Sequence, residues 1–192
     1  MALLSKEDRA KRFKYLGLGE YNSANIKKFQ KIAFPNMSKE WDGVYGSKTD
    51  NALRTFYNVK KVTKNFEPQE FKCECNGKYC CGYPSFMKQN ELKNLQAIRD
   101  HYGVPMRVTC GLRCPTQNRR VGGVANSGHL SGRATDFYMR GVTDTVPNRN
   151  KALKWIMKLP NHKFTYGSHM VDSDGHYRTA SGMGNAMHTE VR

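Results

Sequence analysis

The chain has 192 residues, with 32 Lys and Arg against 16 Asp and Glu, a formal net charge of +16. That length holds one domain of ordinary size, or a modest one with a small companion, and can bury a core without covalent staples. No run approaches the ~18 apolar residues of a membrane-spanning helix, and a hydrophobic fraction of 38% leaves a polar surface whose sign suits polyanions: nucleic acid, anionic lipid or bacterial cell wall.

The opening MALLSKEDRAKRF lacks the apolar core and small-residue cleavage site of a signal peptide. The expectation is a protein made in the cytoplasm and released by something else if it works outside. Residues 5–15 are charged and helix-permissive. Residues 25–34 set Ile26, Phe29, Ile32 and Ala33 on one stripe at helical spacing. After the turn PNMS, Asp42-Gly43 and Tyr45-Gly46 are turn signals, and Ser47 or Thr49 can cap a helix carrying Ala52, Leu53 and Phe56.

The phrase DGVYGSKTDNALRTFYN resembles the second half of the small three-helix peptidoglycan-binding domain, D-G-x-x-G-x-x-T-x-x-A-hydrophobic-x-x-F. Asp42, Gly43, Gly46, Thr49, Ala52 and Phe56 match, while Tyr57 stands where that family usually has Gln. IKKFQK upstream resembles the same domain's first core helix. The resemblance implies a wall-holding module over residues 1–58; the plain alternative is a generic helical hairpin. Residues 59–70, charged and aperiodic with one Pro, read as a linker.

A second domain is expected over residues 71–192. Residues 90–102 form an amphipathic pattern with Leu92, Leu95, Ile98 and Tyr102 on one side and Gly103 as the stop. Residues 106–111 and 133–139 alternate like strands, residues 148–159 read as a helix ended by Pro160, and KFTYGSHMV, HYRTA and AMHTEVR are short strand candidates. The fold class expected is α+β: a small N-terminal three-helix domain, then helices against a mainly antiparallel sheet.

Six cysteines fall in two groups. Cys73, Cys75, Cys80 and Cys81 lie within nine residues and can enclose a structural zinc, form disulfides or remain buried thiols. Cys110 and Cys114 flank a strand end and can bridge with each other or with the first group. In a cytosolic chain, reduced thiols or metal ligands are the default.

His129 stands seven positions before Asp136 in SGHLSGRATDF. Zinc takes imidazole and carboxylate ligands, and a catalytic zinc keeps one position open. With residues 134–138 as a strand, Asp136 points to one fixed face, while Gly128 and Gly132 give the loop sharp turns that fold His129 back beside it. His188, in the closing AMHTEVR, is the expected third ligand.

The longer stretch VTCGLRCPTQNRRVGGVANSGHLSGRATDFY closely resembles the zinc D-alanyl-D-alanine carboxypeptidase family, whose scaffold the hedgehog signalling domain and the D,D-dipeptidases share. Gly111, Arg113, Asn118, Gly122, Gly123, Ser127, His129, Gly132, Ala134 and Asp136 match its pattern, and HTEV supplies the last histidine. The resemblance covers the whole second domain. It implies that His129, Asp136 and His188 hold Zn²⁺, that Arg113 binds a substrate carboxylate through its guanidinium fork, and that Ser127 fixes substrate or caps the loop. Related enzymes carry an acid or histidine two or three residues before the last ligand, where this chain has Ala186 and Asn185. Glu190 shares a strand face with His188 and is the expected base, with a role as partner to that ligand equally open; Asp172, Asp174 and His176 are outside candidates.

Together these imply a monomeric zinc peptidase cleaving a stem or cross-bridge bond of bacterial peptidoglycan, as carboxypeptidase or endopeptidase, released in the manner of a phage endolysin. The rival is a non-catalytic zinc-containing wall-binding or phage structural module. No nucleic-acid motif is present, so that partner is not expected.

Overall fold

The computed structural model describes residues 2–192. Among them are seven α-helices and a four-stranded antiparallel sheet. Helix α1 (Lys6–Tyr15) begins where the Ser5 hydroxyl accepts from Asp8 N–H, and α2 (Ser23–Ala33) where the Asn22 side chain accepts from Asn25 N–H. The buried stripe of α2 is Ile26, Phe29, Gln30 and Ala33, whereas Ile32 is 46% exposed. Helical spacing admits either set. Gln30 takes the inward place because its amide has work there: it donates to Asp42 Oδ1 (2.8 Å), Val44 O (3.0 Å) and Thr49 Oγ1 (3.2 Å) and accepts from Gly43 N–H (2.8 Å).

Helix α3 (Ser47–Val62) follows with Gly46 at its N-cap, so neither Ser47 nor Thr49 caps it; Thr49 is buried on the Gln30 amide instead. The helix runs on through residues 59–62, where a linker was expected, because Val59 is fully buried in the core. Phe13, Phe29 and Phe56 pack edge to face, and Tyr83, from beyond the expected linker, meets Phe56 with ring centroids 5.9 Å apart. Asn58 Nδ2 donates to Met87 O at 2.8 Å and Asn51 Nδ2 to Pro84 O at 3.2 Å. One hydrophobic core therefore runs from Phe13 to Met187.

Helix α4 (Gln89–Tyr102) buries Leu92, Leu95 and Ile98 and ends at Gly103 in the left-handed conformation, as its periodicity predicts. The sheet has the order β1-β2-β6-β3, from β1 (Arg107–Cys110), β2 (Ala134–Tyr138), β6 (Met187–Val191) and β3 (His162–Gly167). A two-stranded ribbon of β4 (Met170–Val171) and β5 (Tyr177–Arg178) lies beside it. Side chains alternate across the sheet. Phe137 and Met187 join the core with α4, while Asp136, His188 and Glu190 lie on the other face. Helices α5 (Pro115–Arg120) and α6 (Gly128–Ser131) lie between β1 and β2 in the chain, and α7 (Val146–Ile156) packs on β3. No helix is long and apolar enough to cross a membrane, among the described residues.

Candidate metal centre

Asp136 and His188 are Cα partners on β2 and β6, which brings their side chains together on one face. His188 Nδ1 lies 2.7 Å from Asp136 Oδ1. His129 approaches the other carboxylate oxygen from α6, with Nε2 3.3 Å from Asp136 Oδ2, and the two imidazole centroids are 5.1 Å apart. The expected trio thus converges, and Asp136 is its centre.

Two glycines make the approach possible. Gly132 ends α6 at φ +70°, and a Cβ there would stand 2.1 Å from Phe86 O. Gly128 was expected to bend the loop; its φ is ordinary, and its use is close approach. A Cβ on Gly128 would meet Glu190 Cδ at 2.7 Å and Ala134 Cβ at 2.8 Å. Arg113 N–H then donates to His129 O at 3.0 Å, pinning the helix turn to the end of β1.

Each histidine is oriented through its second nitrogen. His129 Nδ1–H donates to Gly111 O at 2.7 Å, a partner that can only accept, which leaves Nε2 for Asp136. His188 turns Nε2 toward Glu190 Oε2 at 3.9 Å. Burial opposes a charged His129, but its bonds to Asp136 and Cys110 outweigh burial and hold it up to about 9. Burial likewise raises Asp136, and His129 and His188 overcome this to keep it ionised, well below its ordinary value.

Arg113 is mostly buried beside the trio. It donates to Cys110 Sγ (3.1 Å) and Asn118 Oδ1 (3.3 Å) and approaches Asp136 Oδ2 at 3.5 Å. Ser127 sits at the N-cap of α6, but its side chain makes no cap bond. Glu190 is occupied: Lys163 Nζ donates to Oε1 at 2.8 Å, and Arg133 lies 3.6 Å away. Burial would raise its carboxyl, yet His188 and Lys163 bring it down to about 2. A carboxylate so committed orients His188 and is a poor proton acceptor near neutral pH. Asp172 is spent on its own turn, accepting from Asp174 N–H, His176 N–H and Arg178 Nε, and His176 is largely exposed there.

Three neighbours were not foreseen. The Cys110 thiol, His129 and Asp136 offer ligand atoms all within 4.8 Å of one another. Tyr166 of β3 lies over His188 with centroids 4.8 Å apart, and burial pushes its phenol up to about 12, so it stays a hydrogen-bond donor. Glu74, exposed on its loop, has its carboxyl raised by partial desolvation, the charges of Arg113, Asp136 and His129 also act on it, and no ion pair holds it among the described residues. The pairing of Tyr166 with His188 across β3 and β6 is a register fact that no local pattern announces.

Of the four cysteines grouped by spacing, Cys73, Cys75 and Cys80 meet in space, but with Cys114, not Cys81. Cys81 turns into the main core. Asp42, Gly43 and Thr49 assemble around Gln30, as described above, and Gly46 starts α3.

Comparison with known families matches residues 64–179 to the family described as Peptidase M15. No curated protein matches the chain. The matched span includes Arg113, His129 and Asp136 and stops short of His188.

Proposed function

This chain belongs to the peptidase M15 family, and on that premise we propose that it is a zinc peptidase cutting stem or cross-bridge peptides of bacterial peptidoglycan. The observation that carries the reading is the convergence of His129 Nε2 and His188 Nδ1 on the two oxygens of Asp136, each ring steered by an oxygen on its far side. An imidazole and a carboxylate on a rigid strand pair, joined by a second imidazole from α6, are a fitting donor set for zinc. His129, Asp136 and His188 would hold the ion. When bound, zinc supplies Lewis-acid polarisation of the scissile carbonyl and brings water's pKa down toward ~7.

The remaining chemistry belongs to the protein. Arg113 offers a guanidinium fork at the edge of the trio, suited to a peptide carboxylate. The Tyr166 phenol, protonated at working pH, is placed to donate to an oxygen that gains charge. Glu190 with Lys163 holds the His188 ring in place. Glu74 is the uncommitted carboxyl to which we assign the proton. The match of Asp42, Gly43, Gly46 and Thr49 to the wall-binding pattern and the charge of +16 support an anionic wall as the substrate and release as a phage-type lysin as the route. Mass spectrometry of fragments released from purified peptidoglycan tests the proposal and identifies the bond cut.

One observation favours a second reading. Cys110, His129 and Asp136 form a close group of ligand atoms that does not include His188; with the Cys110 thiol as a ligand the site would close, and closed sites are structural where open ones are catalytic. In that case the domain binds zinc and the wall without hydrolysis. Cys110→Ser separates the two: a catalytic centre keeps its zinc and its turnover, whereas a closed site loses metal affinity.

A further inference from the structure

Four of the six cysteines meet in a cluster distinct from the His–Asp trio. The sulfurs of Cys73, Cys75, Cys80 and Cys114 all lie within 4.8 Å of one another, with Cys75 Sγ 3.4 Å from Cys80 Sγ. A tetrahedral ion with Zn–S arms of ~2.3 Å sets its sulfurs ~3.8 Å apart, so the cluster is of the size such an ion needs.

The backbone is arranged around the sulfurs. Cys114 N–H donates to Cys73 Sγ (3.3 Å), Gln117 N–H to Cys114 Sγ (3.4 Å) and Gly82 N–H to Cys80 Sγ (3.4 Å). A neutral thiol is a weak acceptor, whereas a thiolate repays such donors with charge-assisted bonds. Between Cys75 and Cys80 the chain reverses through Asn76 (φ 49°) and Gly77 (φ 84°), with Lys78 N–H on Cys75 O at 2.9 Å. That tight turn returns the third sulfur to the first two.

Besides Cys81 in the main core and the Cys73 N–H bond to Gly82 O at 2.8 Å, the segment has few other anchors. Residues 73–82 contain no helix or strand. The buried part of this cluster is Cys73, Cys75 and Cys114, with only Tyr79 and Cys80 packed against it. Ordering ten residues costs far more than so small an apolar contact returns. An ion bound by four thiolates supplies the difference, since metal-binding free energy is folding free energy where no site exists in the unfolded chain.

We infer that Cys73, Cys75, Cys80 and Cys114 bind one structural zinc ion as a closed tetrathiolate site that clips the 73–82 loop to the start of α5. Each thiol gives up its proton to solvent on binding. Cys81, next to Cys80 in sequence, is not a ligand; it packs in the main core. Two neighbours gain their positions from the clip. Arg113 immediately precedes Cys114, and Glu74 lies between Cys73 and Cys75. The site therefore fixes the chain on either side of Glu74 and holds Arg113 beside Asp136, and the inference stands whether or not the His–Asp trio is catalytic.

The test uses the full chain carrying His129→Ala and His188→Ala, kept reduced and supplied with zinc, so that the trio no longer competes for metal. Elemental analysis should give one zinc per chain, and zinc-edge X-ray absorption should show a shell of four sulfurs at ~2.3 Å. Adding Cys114→Ser should abolish that zinc, whereas Cys81→Ser should leave it. The same sulfur shell, seen in the unsubstituted chain alongside a nitrogen and oxygen shell, covers the case in which the doubly substituted chain does not fold. Zinc absent from the reduced protein, zinc with no sulfur neighbours, iron in its place, or the four cysteines recovered as disulfides would each overturn the assignment.

Discussion

His188 and Asp136 stand directly opposite each other on neighbouring antiparallel strands, and imidazole Nδ1 meets carboxylate Oδ1 at 2.7 Å. Strand register therefore sets two of the three proposed ligands, and only His129 depends on a loop. Such a pair is pre-organised by the sheet's own hydrogen bonds, which is what a metal centre requires of its scaffold.

Glu190 is expected to act on metal affinity and not on proton transfer. It is tied to Lys163 at 2.8 Å and faces the outer nitrogen of His188. Glu190→Gln should weaken zinc binding at the trio by ~10–100-fold, measured by chelator competition. A variant that keeps its zinc affinity but loses turnover would put Glu190 back in the role of base.

Glu74 carries the opposite expectation. It is exposed on its loop, its carboxyl is raised by partial desolvation, and it feels the charges of Arg113, Asp136 and His129. Glu74→Gln should lower kcat by ~10²–10⁴ while the trio retains its metal. Unchanged kcat would remove Glu74 from the mechanism.

Glu91 of α4 makes stability depend on pH. It is fully buried, and neither carboxylate oxygen has a hydrogen-bond partner. Burial holds its pKa well above the ordinary 4.5; the nearby Thr135 hydroxyl acts against burial, and the charges of Glu190 and Asp136 add to the rise. For an acid raised in the folded state, stability is complete at low pH and is lost as pH climbs from 4.5 toward the raised value. The melting temperature of the native chain should fall, relative to Glu91→Gln, as pH is raised above 4.5. A difference that stays flat with pH contradicts the buried neutral acid.

Gln30 is expected to be the keystone of the first helices. Gln30→Ala strands the buried Gly43 N–H and removes one of the donors to Asp42, at a cost of about 1–3 kcal/mol in urea unfolding. Because the core is continuous from Phe13 to Met187, that loss should appear in one cooperative transition. Two separate transitions would show that the helices fold apart from the sheet.

Strong local periodicity was legible. The pattern of α4, its glycine stop and the strand character of β2 and β6 follow from residues next to one another in the chain. His129 and Asp136 stood out through the resemblance of the stretch around them to the zinc carboxypeptidase pattern, since their spacing alone is weak evidence. What stayed hidden was decided across distance. Gln30 outcompetes Ile32 for the core only because Asp42 and Gly43 await it, and Cys114 replaces Cys81 because α5 delivers it to a loop 41 positions away. Glu190 looked free on its strand; Lys163, across β3, had already claimed it.

The central claim is zinc-dependent peptide hydrolysis by the His129–Asp136–His188 trio, and its most direct test is the release of new amino groups from purified peptidoglycan. The zinc-loaded chain should release them, chelator should stop the release, added zinc should restore it, and His129→Ala should remain inactive throughout. Equal release by His129→Ala, or none by the zinc-loaded native chain on any wall type tested, would contradict the account.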